Sequence, residues 1–216
     1  MTRSRAVLFD FDGTLADTAP DLAAAVNRMR TEQGQEPMPI ERLRPFASAG
    51  ARGLVHAAFG VKPEDPEYKA MRAAFLDFYA ERVCHDTRLF PGIAELLAEL
   101  RSRDLRWGVV TNKSTRFTES ILLSLKLKPD CLACGDTTPH LKPHPASLLH
   151  AAEQLRLPPA SCCYLGDDLR DMKAARAAGM RPIAVEWGYH HPDSGAPGTW
   201  DAETIIAHPL DLLPHL

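Results

Sequence analysis

The sequence lacks the features of membrane proteins and of nucleic-acid-binding proteins. Its basic first residues run directly into an apolar stretch that is too short for the core of a signal peptide or for a membrane span. The formal net charge is −3 at pH 7, and lysine and arginine are scattered along the chain rather than gathered in a basic stripe. We therefore expect a cytoplasmic protein whose partner is neither a nucleic acid nor a membrane.

Cysteine is scarce and poorly placed for cross-linking. The five cysteines are an odd number, and Cys162 and Cys163 are adjacent within an apolar run, which favours reduced thiols in a core over a disulfide framework. Cys131 and Cys134 form one C-x-x-C pattern, which is typical of half a zinc site or of a redox pair. Because no second C-x-x-C follows, we interpret this segment as the interior of a strand.

The overall amino-acid composition is that of an ordinary globular protein. Apolar residues make up 45% and charged residues 25% of the 216 positions. This length allows one domain with a full core, or a core that carries a modest insertion. The sequence contains neither an internal repeat nor a low-complexity tract, so a repeat architecture is excluded.

Residues 16–84 show helical patterns of apolar residues and no strand pattern. A stretch of small residues over 48–53 predicts a loop within this region. The predicted helices are 19–30, 40–44, 54–59 and 68–83.

The rest of the chain alternates short apolar runs with amphipathic segments, which is typical of a parallel sheet with helices on both faces. The predicted strands are 6–9, 106–110, 131–134, 161–165, 182–185 and 204–206. The predicted helices are 91–103, 114–125, 145–155 and 169–178. We therefore predict an α/β protein with a doubly wound parallel sheet, in which 1–15 and 85–216 form the core and 16–84 form an inserted all-helical cap.

Polar side chains follow three of the predicted strands at the points where those strands end. Because the carboxyl ends of parallel strands meet at one edge of a sheet, we expect these side chains to line one pocket. The residues concerned are Asp10, Asp12, Thr111, Asn112, Asp167, Asp168 and Asp171, with Lys142 in the segment before the last of these strands.

The carboxylates of this predicted pocket would repel one another unless a cation lay among them. Oxygen ligands with little histidine or cysteine favour magnesium, which also recruits substrate phosphate. Together with Lys142 and the donors of Thr111 and Asn112, Mg²⁺ would make a receptor for a doubly negative group such as phosphate. One carboxylate could then attack phosphorus while a second acid moves protons.

Four segments, in this order, resemble the catalytic motifs of the haloacid dehalogenase superfamily of phosphatases. They are Asp10-Phe-Asp-Gly-Thr14, Val110-Thr-Asn112, Lys142-Pro143 and Gly166-Asp-Asp-x-x-Asp171. The resemblance implies a Rossmann-like core, an aspartyl nucleophile at Asp10, and an acid and base at Asp12. It further implies that phosphate is contacted by Thr111, Asn112 and Lys142.

The same resemblance implies a magnesium site held by Asp10, the carbonyl of Asp12, and Asp167. Asp168 is either a further ligand or a supporting residue behind the ligands. Asp171 steadies either Lys142 or a metal-bound water.

The helical insertion is similar to the cap of the phosphoglycolate phosphatase group. Residues 48–55, 107–113, 166–171, 187–193 and 207–210 more closely resemble the bacterial N-acetylmuramic acid 6-phosphate phosphatases of cell-wall recycling. The resemblance implies that the substrate is a small phosphorylated sugar, N-acetylmuramic acid 6-phosphate, with the phosphorylated hydroxy acid phosphoglycolate as the alternative.

Arg52 is the cap residue that we expect to contact the substrate. A guanidinium group pairs well with the carboxylate of a lactyl or glycolate group, and the neighbouring glycines allow close approach of the backbone. The alternative is an arginine at the start of a helix that lies in solvent.

Other polar residues have simpler interpretations. His140 and His144 have the H-x-x-x-H spacing of helical metal ligands, but Pro143 prevents a regular helix between them. We expect His190 and His191 to belong to a surface flap. Lys113 and Arg116, which follow the second motif, either raise the positive field near the phosphate or lie in solvent.

Three functions remain open at this stage. The first is magnesium-dependent hydrolysis of a small phosphomonoester, with the cap closing to exclude water. The second is a phosphosugar mutase that uses the same aspartate to move phosphate between hydroxyl groups. The third is a binding protein that kept the fold without the activity. The oligomeric state has no signal in the chain.

Overall fold

The computed structural model describes residues 4–216, which form two sheets and eight α-helices. In chain order the strands are β1 (Ala6–Phe9), β2 (Ala16–Asp17), β3 (Arg88–Leu89), β4 (Arg106–Val110), β5 (Cys131–Ala133), β6 (Cys162–Gly166), β7 (Arg181–Val185) and β8 (Thr204–Ile206). The α-helices are α1 (Ala19–Glu32), α2 (Ile40–Leu43), α3 (Gly50–Phe59), α4 (Tyr68–Ala80), α5 (Ile93–Ser102), α6 (Thr115–Ser124), α7 (Ala146–Leu155) and α8 (Leu169–Ala177). Within the described residues, no helix has the length and apolar character needed to cross a bilayer.

The larger sheet is parallel throughout, with the strand order β5-β4-β1-β6-β7-β8. Phe9, the last residue of β1, pairs with Val109 of β4 on one side and with Leu165 of β6 on the other. The segments that follow these three strands therefore leave the sheet at the same edge, as the sequence predicts.

Successive residues of β1 point to opposite faces of the sheet and enter two separate apolar clusters. Val7 and Phe9 pack with residues of α5 and α6, whereas Ala6 and Leu8 pack with residues of α7 and α8. All four are fully buried, which explains why the run carries no polar residue. Helices on both faces confirm the predicted doubly wound α/β core.

Helices α1 to α4, which we call the cap, lie between β2 and β3 in the chain and share a third apolar cluster. Phe117 of α6 and Tyr189, which follows β7, also belong to this cluster, so the cap packs directly on the rest of the molecule. The division into a core of 1–15 and 85–216 and a cap of 16–84 stays a prediction.

Two details of the cap region differ from the prediction. Ala16–Asp17 pairs antiparallel with β3, and a strand of this length is too short to produce a periodic signal. The predicted loop over 48–53 is instead the end of a 3₁₀ segment followed by the first turn of α3. Its small residues serve packing, because a Cβ on Gly53 would lie 2.5 Å from the carbonyl oxygen of Phe46.

Candidate active site

Asp10 is the first residue after β1, at the carboxyl edge of the sheet. Its amide donates to the carbonyl of Leu165 at 2.9 Å, and its Oδ1 accepts from the amide of Phe11 at 2.7 Å. The chain then turns at Gly13, whose φ of +87° favours glycine. These contacts fix the carboxylate while leaving 10% of the side chain exposed.

Lys142 lies between two carboxylates. Its Nζ is 2.8 Å from Oδ1 of Asp10 and 2.7 Å from Oδ1 of Asp171, and it donates to the hydroxyl of Tyr164 at 2.7 Å. Asn112 holds the backbone of Lys142 by donating to its carbonyl at 3.1 Å and accepting from its amide at 2.9 Å. Burial opposes the charge of Lys142, but the two carboxylates outweigh burial and raise its pKa.

Asp167 is fully buried and accepts hydrogen bonds from three distant parts of the chain. The hydroxyl of Thr14 donates to Oδ1 at 3.0 Å, while the hydroxyl of Ser48 and the amide of Tyr189 donate to Oδ2 at 3.0 and 2.9 Å. A Cβ on Gly188 would lie 2.1 Å from the Cβ of Asp167, so this approach requires glycine. Burial is the main reason that the pKa of Asp167 is well above its usual value.

The carboxylates of Asp10, Asp167 and Asp171 form a compact group, which we call the carboxylate cluster. One oxygen of each lies within 4.8 Å of the others. Burial raises the pKa of Asp171 to about 7, although Lys142 opposes the shift. Crowded buried carboxylates are stabilised by a cation, and oxygen ligands without histidine or cysteine suit Mg²⁺. The residues present therefore fit a hard divalent ion.

The side chain of Asp12 pairs with Lys113 rather than joining the carboxylate cluster. Nζ of Lys113 is 3.1 Å from Oδ1 and 3.4 Å from Oδ2 of Asp12, and the hydroxyl of Thr18 also donates to Oδ1. With 8% of its side chain exposed, Lys113 also lies 4.7 Å from the ring centroid of Tyr79. Lys113 therefore does not lie in solvent, whereas Arg116 is exposed.

Asp168 caps the N-terminus of α8 and also lies outside the carboxylate cluster. Its Oδ1 accepts from the amide and from Nε of Arg170, both at 2.8 Å. Burial works against its ionised form, but the hydrogen bonds from Arg170 outweigh burial and lower the pKa of Asp168. Asp171 accepts from the amide of Asp168 at 3.1 Å and also binds Lys142. These contacts favour a supporting role for both residues over direct metal ligation by Asp168.

A cavity of about 600 Å³ extends from Asp10 to the cap. Arg52, in the first turn of α3, lies in its cap wall. Thr111 lines the same cavity, and its hydroxyl accepts from the amide of Lys113 at 3.2 Å. The predicted residues that line this cavity are Asp10, Asp12, Arg52, Thr111, Asn112, Lys142 and Asp171. Asp167 and Asp168 are buried outside its lining.

Sequence reasoning missed Tyr189 as an individual residue. Its hydroxyl accepts from the amides of Thr18 at 2.7 Å and Ala19 at 3.0 Å, and donates to Oδ1 of Asp17 at 3.0 Å. Since the Thr18 side chain makes no capping bond, the Tyr189 hydroxyl satisfies the first amides of α1. Through its own amide Tyr189 also binds Asp167, so it connects the carboxylate cluster with the first turn of the cap.

The other candidate residues lie apart from this site. The rings of His140 and His144 are 4.3 Å apart between centroids, but neither belongs to a group of possible metal ligands in the described part of the chain. Nε2 of His190 is 2.9 Å from the carbonyl of Val185, and His191 packs against another ring outside the catalytic cavity. Both cysteines of the C-x-x-C pattern are buried, free thiols.

Known hydrolases and phosphatases resemble this chain in sequence and in fold. The profile of the haloacid dehalogenase-like hydrolase family matches residues 7–185. The chain is 44% identical to the N-acetylmuramic acid 6-phosphate phosphatase of Pseudomonas putida, with 97% of this chain and 95% of that protein covered. It is 40% identical to the phosphoglycolate phosphatase of Xanthomonas campestris pv. campestris, with 96% and 94% covered. The crystal structure of a predicted phosphoglycolate phosphatase from Haemophilus somnus 129pt is similar at a TM-score of 0.85 and 26% identity, with 100% and 99% covered.

Proposed function

The chain belongs to the haloacid dehalogenase-like hydrolase family and is a phosphatase, and from this premise we propose a magnesium-dependent phosphomonoester hydrolase that forms an aspartyl phosphate at Asp10. The observation that carries the proposal is the position of Asp10, which lies 2.8 Å from the Lys142 ammonium, belongs to the carboxylate cluster and lines the cavity. The proposed nucleophile therefore lies beside a fixed cation and among the proposed metal ligands, at the wall of the cavity that would hold the substrate.

In the first half-reaction, a carboxylate oxygen of Asp10 attacks phosphorus and the bond from phosphorus to the ester oxygen breaks. Asp12 donates the proton that the departing oxygen needs. Thr111, Asn112 and Lys142 contact the phosphoryl oxygens and stabilise the charge that develops on them. The products are the free alcohol and an acyl phosphate on Asp10.

In the second half-reaction, water attacks the same phosphorus while Asp12 accepts a proton from the water. The bond from phosphorus to Asp10 breaks, so that inorganic phosphate leaves and the carboxylate is restored. Asp10, Asp167 and the carbonyl of Asp12 would hold Mg²⁺, with Asp171 beside them, and the bound ion would neutralise phosphate charge.

We propose N-acetylmuramic acid 6-phosphate as the substrate, which would give the enzyme a role in peptidoglycan recycling. The 44% identity to a phosphatase named for this compound supports the proposal. Phosphoglycolate is the second candidate, because the 40% identical relative is named for it. Both compounds carry a carboxylate that matches Arg52 on the cap side of the cavity.

Measurement of released phosphate tests the reaction. We expect stoichiometric phosphate from the wild-type enzyme with Mg²⁺, loss of turnover with EDTA and recovery on adding Mg²⁺. Asp10→Asn should abolish release, whereas Asp77→Asn, on the exposed surface of α4, should leave it unchanged. An isomerised sugar phosphate with no free phosphate would instead identify a mutase, and full turnover after complete metal removal would refute the mechanism.

Comparison of kcat/KM for N-acetylmuramic acid 6-phosphate, muramic acid 6-phosphate and phosphoglycolate tests the substrate. We expect the highest value for the first of these. A higher value for phosphoglycolate would replace the proposed substrate with the second candidate while leaving the proposed reaction intact.

A further inference from the structure

The cap wall of the catalytic cavity contains a second positive group besides Arg52. Helix α4 contributes one face to this wall, with residues spaced by four, three, one and three positions. These residues are Tyr68, Arg72, Phe75, Leu76 and Tyr79. Arg72 is the charged member of that face, and α3, which supplies Arg52, packs directly against α4.

Arg72 and Arg52 differ from the other cations that line the cavity because they have no anionic partner in the protein. Lys113 pairs with a carboxylate of the site, as do Lys142 and Arg170. Among residues 4–216, no carboxylate oxygen lies within 4.0 Å of a side-chain nitrogen of Arg52 or Arg72. Both side chains are exposed, so each is available to an anion that enters the cavity.

The position of Arg72 along α4 indicates how far from the catalytic end of the cavity an anion bound to Arg72 would lie. Tyr79 marks the catalytic end of the helix, since its ring lies 4.7 Å from the Lys113 ammonium that pairs with Asp12. An α-helix rises about 1.5 Å per residue, so the backbone of Arg72 lies about 10 Å further along the axis. The two ends of the cavity therefore carry separate anion-binding groups.

We infer that Arg72 forms a distal anion subsite that binds a carboxylate on the part of the substrate furthest from the phosphate. In phosphoglycolate three bonds separate phosphorus from the carboxyl carbon, a span of at most about 4 Å. In N-acetylmuramic acid 6-phosphate the phosphate on C6 and the lactyl ether on C3 are separated by ring carbons C3 to C5, so the carboxylate can lie considerably further from phosphorus. The subsite thus selects a carboxylated hexose phosphate over a short phosphorylated acid. This inference rests on the proposed function and assigns Arg72 a role in its specificity.

A pair of substrates that differ only in the lactyl ether tests the subsite. N-acetylglucosamine 6-phosphate has the same ring and phosphate as N-acetylmuramic acid 6-phosphate but no carboxylate. We expect Arg72→Gln to lower kcat/KM for the carboxylated sugar by about tenfold to a hundredfold, mainly through KM. The values for N-acetylglucosamine 6-phosphate and for phosphoglycolate should change less than about twofold, and Arg72→Lys should restore part of the loss.

Lys69→Gln is the matched control, because Lys69 is an exposed cation of the same helix outside the cavity lining. An equal loss on both sugars, or no loss on either, overturns the subsite. Turnover of N-acetylglucosamine 6-phosphate reports that the variant is folded and active. Asp10→Asn, measured on the same two sugars, distinguishes failure of the proposed function from failure of the subsite. Phosphate release that persists in Asp10→Asn refutes the proposed function. If Asp10→Asn abolishes release but Arg72→Gln affects both sugars equally, only the subsite is refuted.

Discussion

The two walls of the catalytic cavity use their charges in opposite ways. On the core wall, which we call the floor, the ammonium groups of Lys142 and Lys113 are buried and lie within 3.1 Å of carboxylates. On the cap wall, which we call the roof, Arg52 and Arg72 are exposed and have no carboxylate partner in the described chain. A buried ion pair holds its side chains in one geometry, whereas an exposed cation without a partner is free to bind an anion from solution.

This contrast separates the reaction from the choice of substrate. A buried ammonium between two carboxylates cannot move without exposing uncompensated charge, so the floor presents one arrangement to every phosphate group. The roof can exchange water for a substrate carboxylate at little structural cost. Substitutions on the floor should therefore affect folding and turnover of all substrates, and substitutions on the roof should affect selected substrates.

The largest expected effect comes from Lys142→Met on the floor. This change leaves Asp10 and Asp171 as buried carboxylates without their cation, which should cost about 3–5 kcal/mol of unfolding free energy. Activity should fall at least about a thousandfold on every phosphomonoester. Urea unfolding and phosphate release measure the two effects, with exposed Lys173→Met as the control. A stable and active Lys142→Met protein would contradict the distinction between the walls.

A smaller effect is expected from Gly188→Ala behind the floor. The new Cβ would lie 2.1 Å from the Cβ of Asp167, so that carboxylate must shift. We expect a loss of about 1–3 kcal/mol in stability and about a hundredfold in kcat. Gly198→Ala is the matched control, because a Cβ there meets no atom within 4 Å. Similar thermal unfolding and kcat in the two variants would show that the close approach is unimportant.

Tyr189→Phe tests the connection between the floor and the roof. Loss of the hydroxyl leaves the amides of Thr18 and Ala19 without their acceptor, which should cost about 1–3 kcal/mol. The amide of Tyr189 still reaches Asp167, so the concentration of Mg²⁺ that gives half-maximal activity should stay the same. Tyr68→Phe is the stability control, since that hydroxyl makes no hydrogen bond within residues 4–216. A changed magnesium requirement would mean that the two contacts of Tyr189 are not separable.

The smallest effect should come from Arg52→Gln on the roof. We expect KM to rise about tenfold for phosphates that carry a carboxylate, with stability unchanged and a generic aryl phosphate hydrolysed as before. Steady-state kinetics on both substrates measure the difference, and Arg42→Gln, exposed on α2, is the control. An equal loss on the aryl phosphate would place Arg52 among the residues of the floor.

The fold was predictable because its strands are apolar runs with polar ends. The structure confirms the predicted strands at Arg106–Val110 and Thr204–Ile206 without any change of bounds. The segment over 48–53 was wrongly predicted as a loop, since glycine and serine there signal a break in the local sequence. Their helical conformation follows from close packing, which the local sequence does not contain.

The floor was more accessible to sequence reasoning than the contacts around it. Asp10, Lys142 and Asp171 follow from the rule that parallel strands end at one edge, and in the structure Nζ of Lys142 lies within 2.8 Å of an oxygen of each aspartate. The role of Tyr189 depends on partners that lie 22 and 171 positions away in the chain. No local pattern predicts such an approach.

Oδ2 of Asp167 accepts at once from the hydroxyl of Ser48, in the cap, and from the amide of Tyr189, which follows β7. A single carboxylate thus takes part both in the carboxylate cluster and in the contact with the cap. A ligand that withdraws electron density from the Asp167 carboxylate weakens the hydrogen bond that this carboxylate accepts from Ser48. In turn, the hydrogen bond from Ser48 uses a lone pair of the same carboxylate and so competes with the ligand. By reciprocity, the free energy that couples the cluster to the cap must be the same whichever of the two is perturbed first.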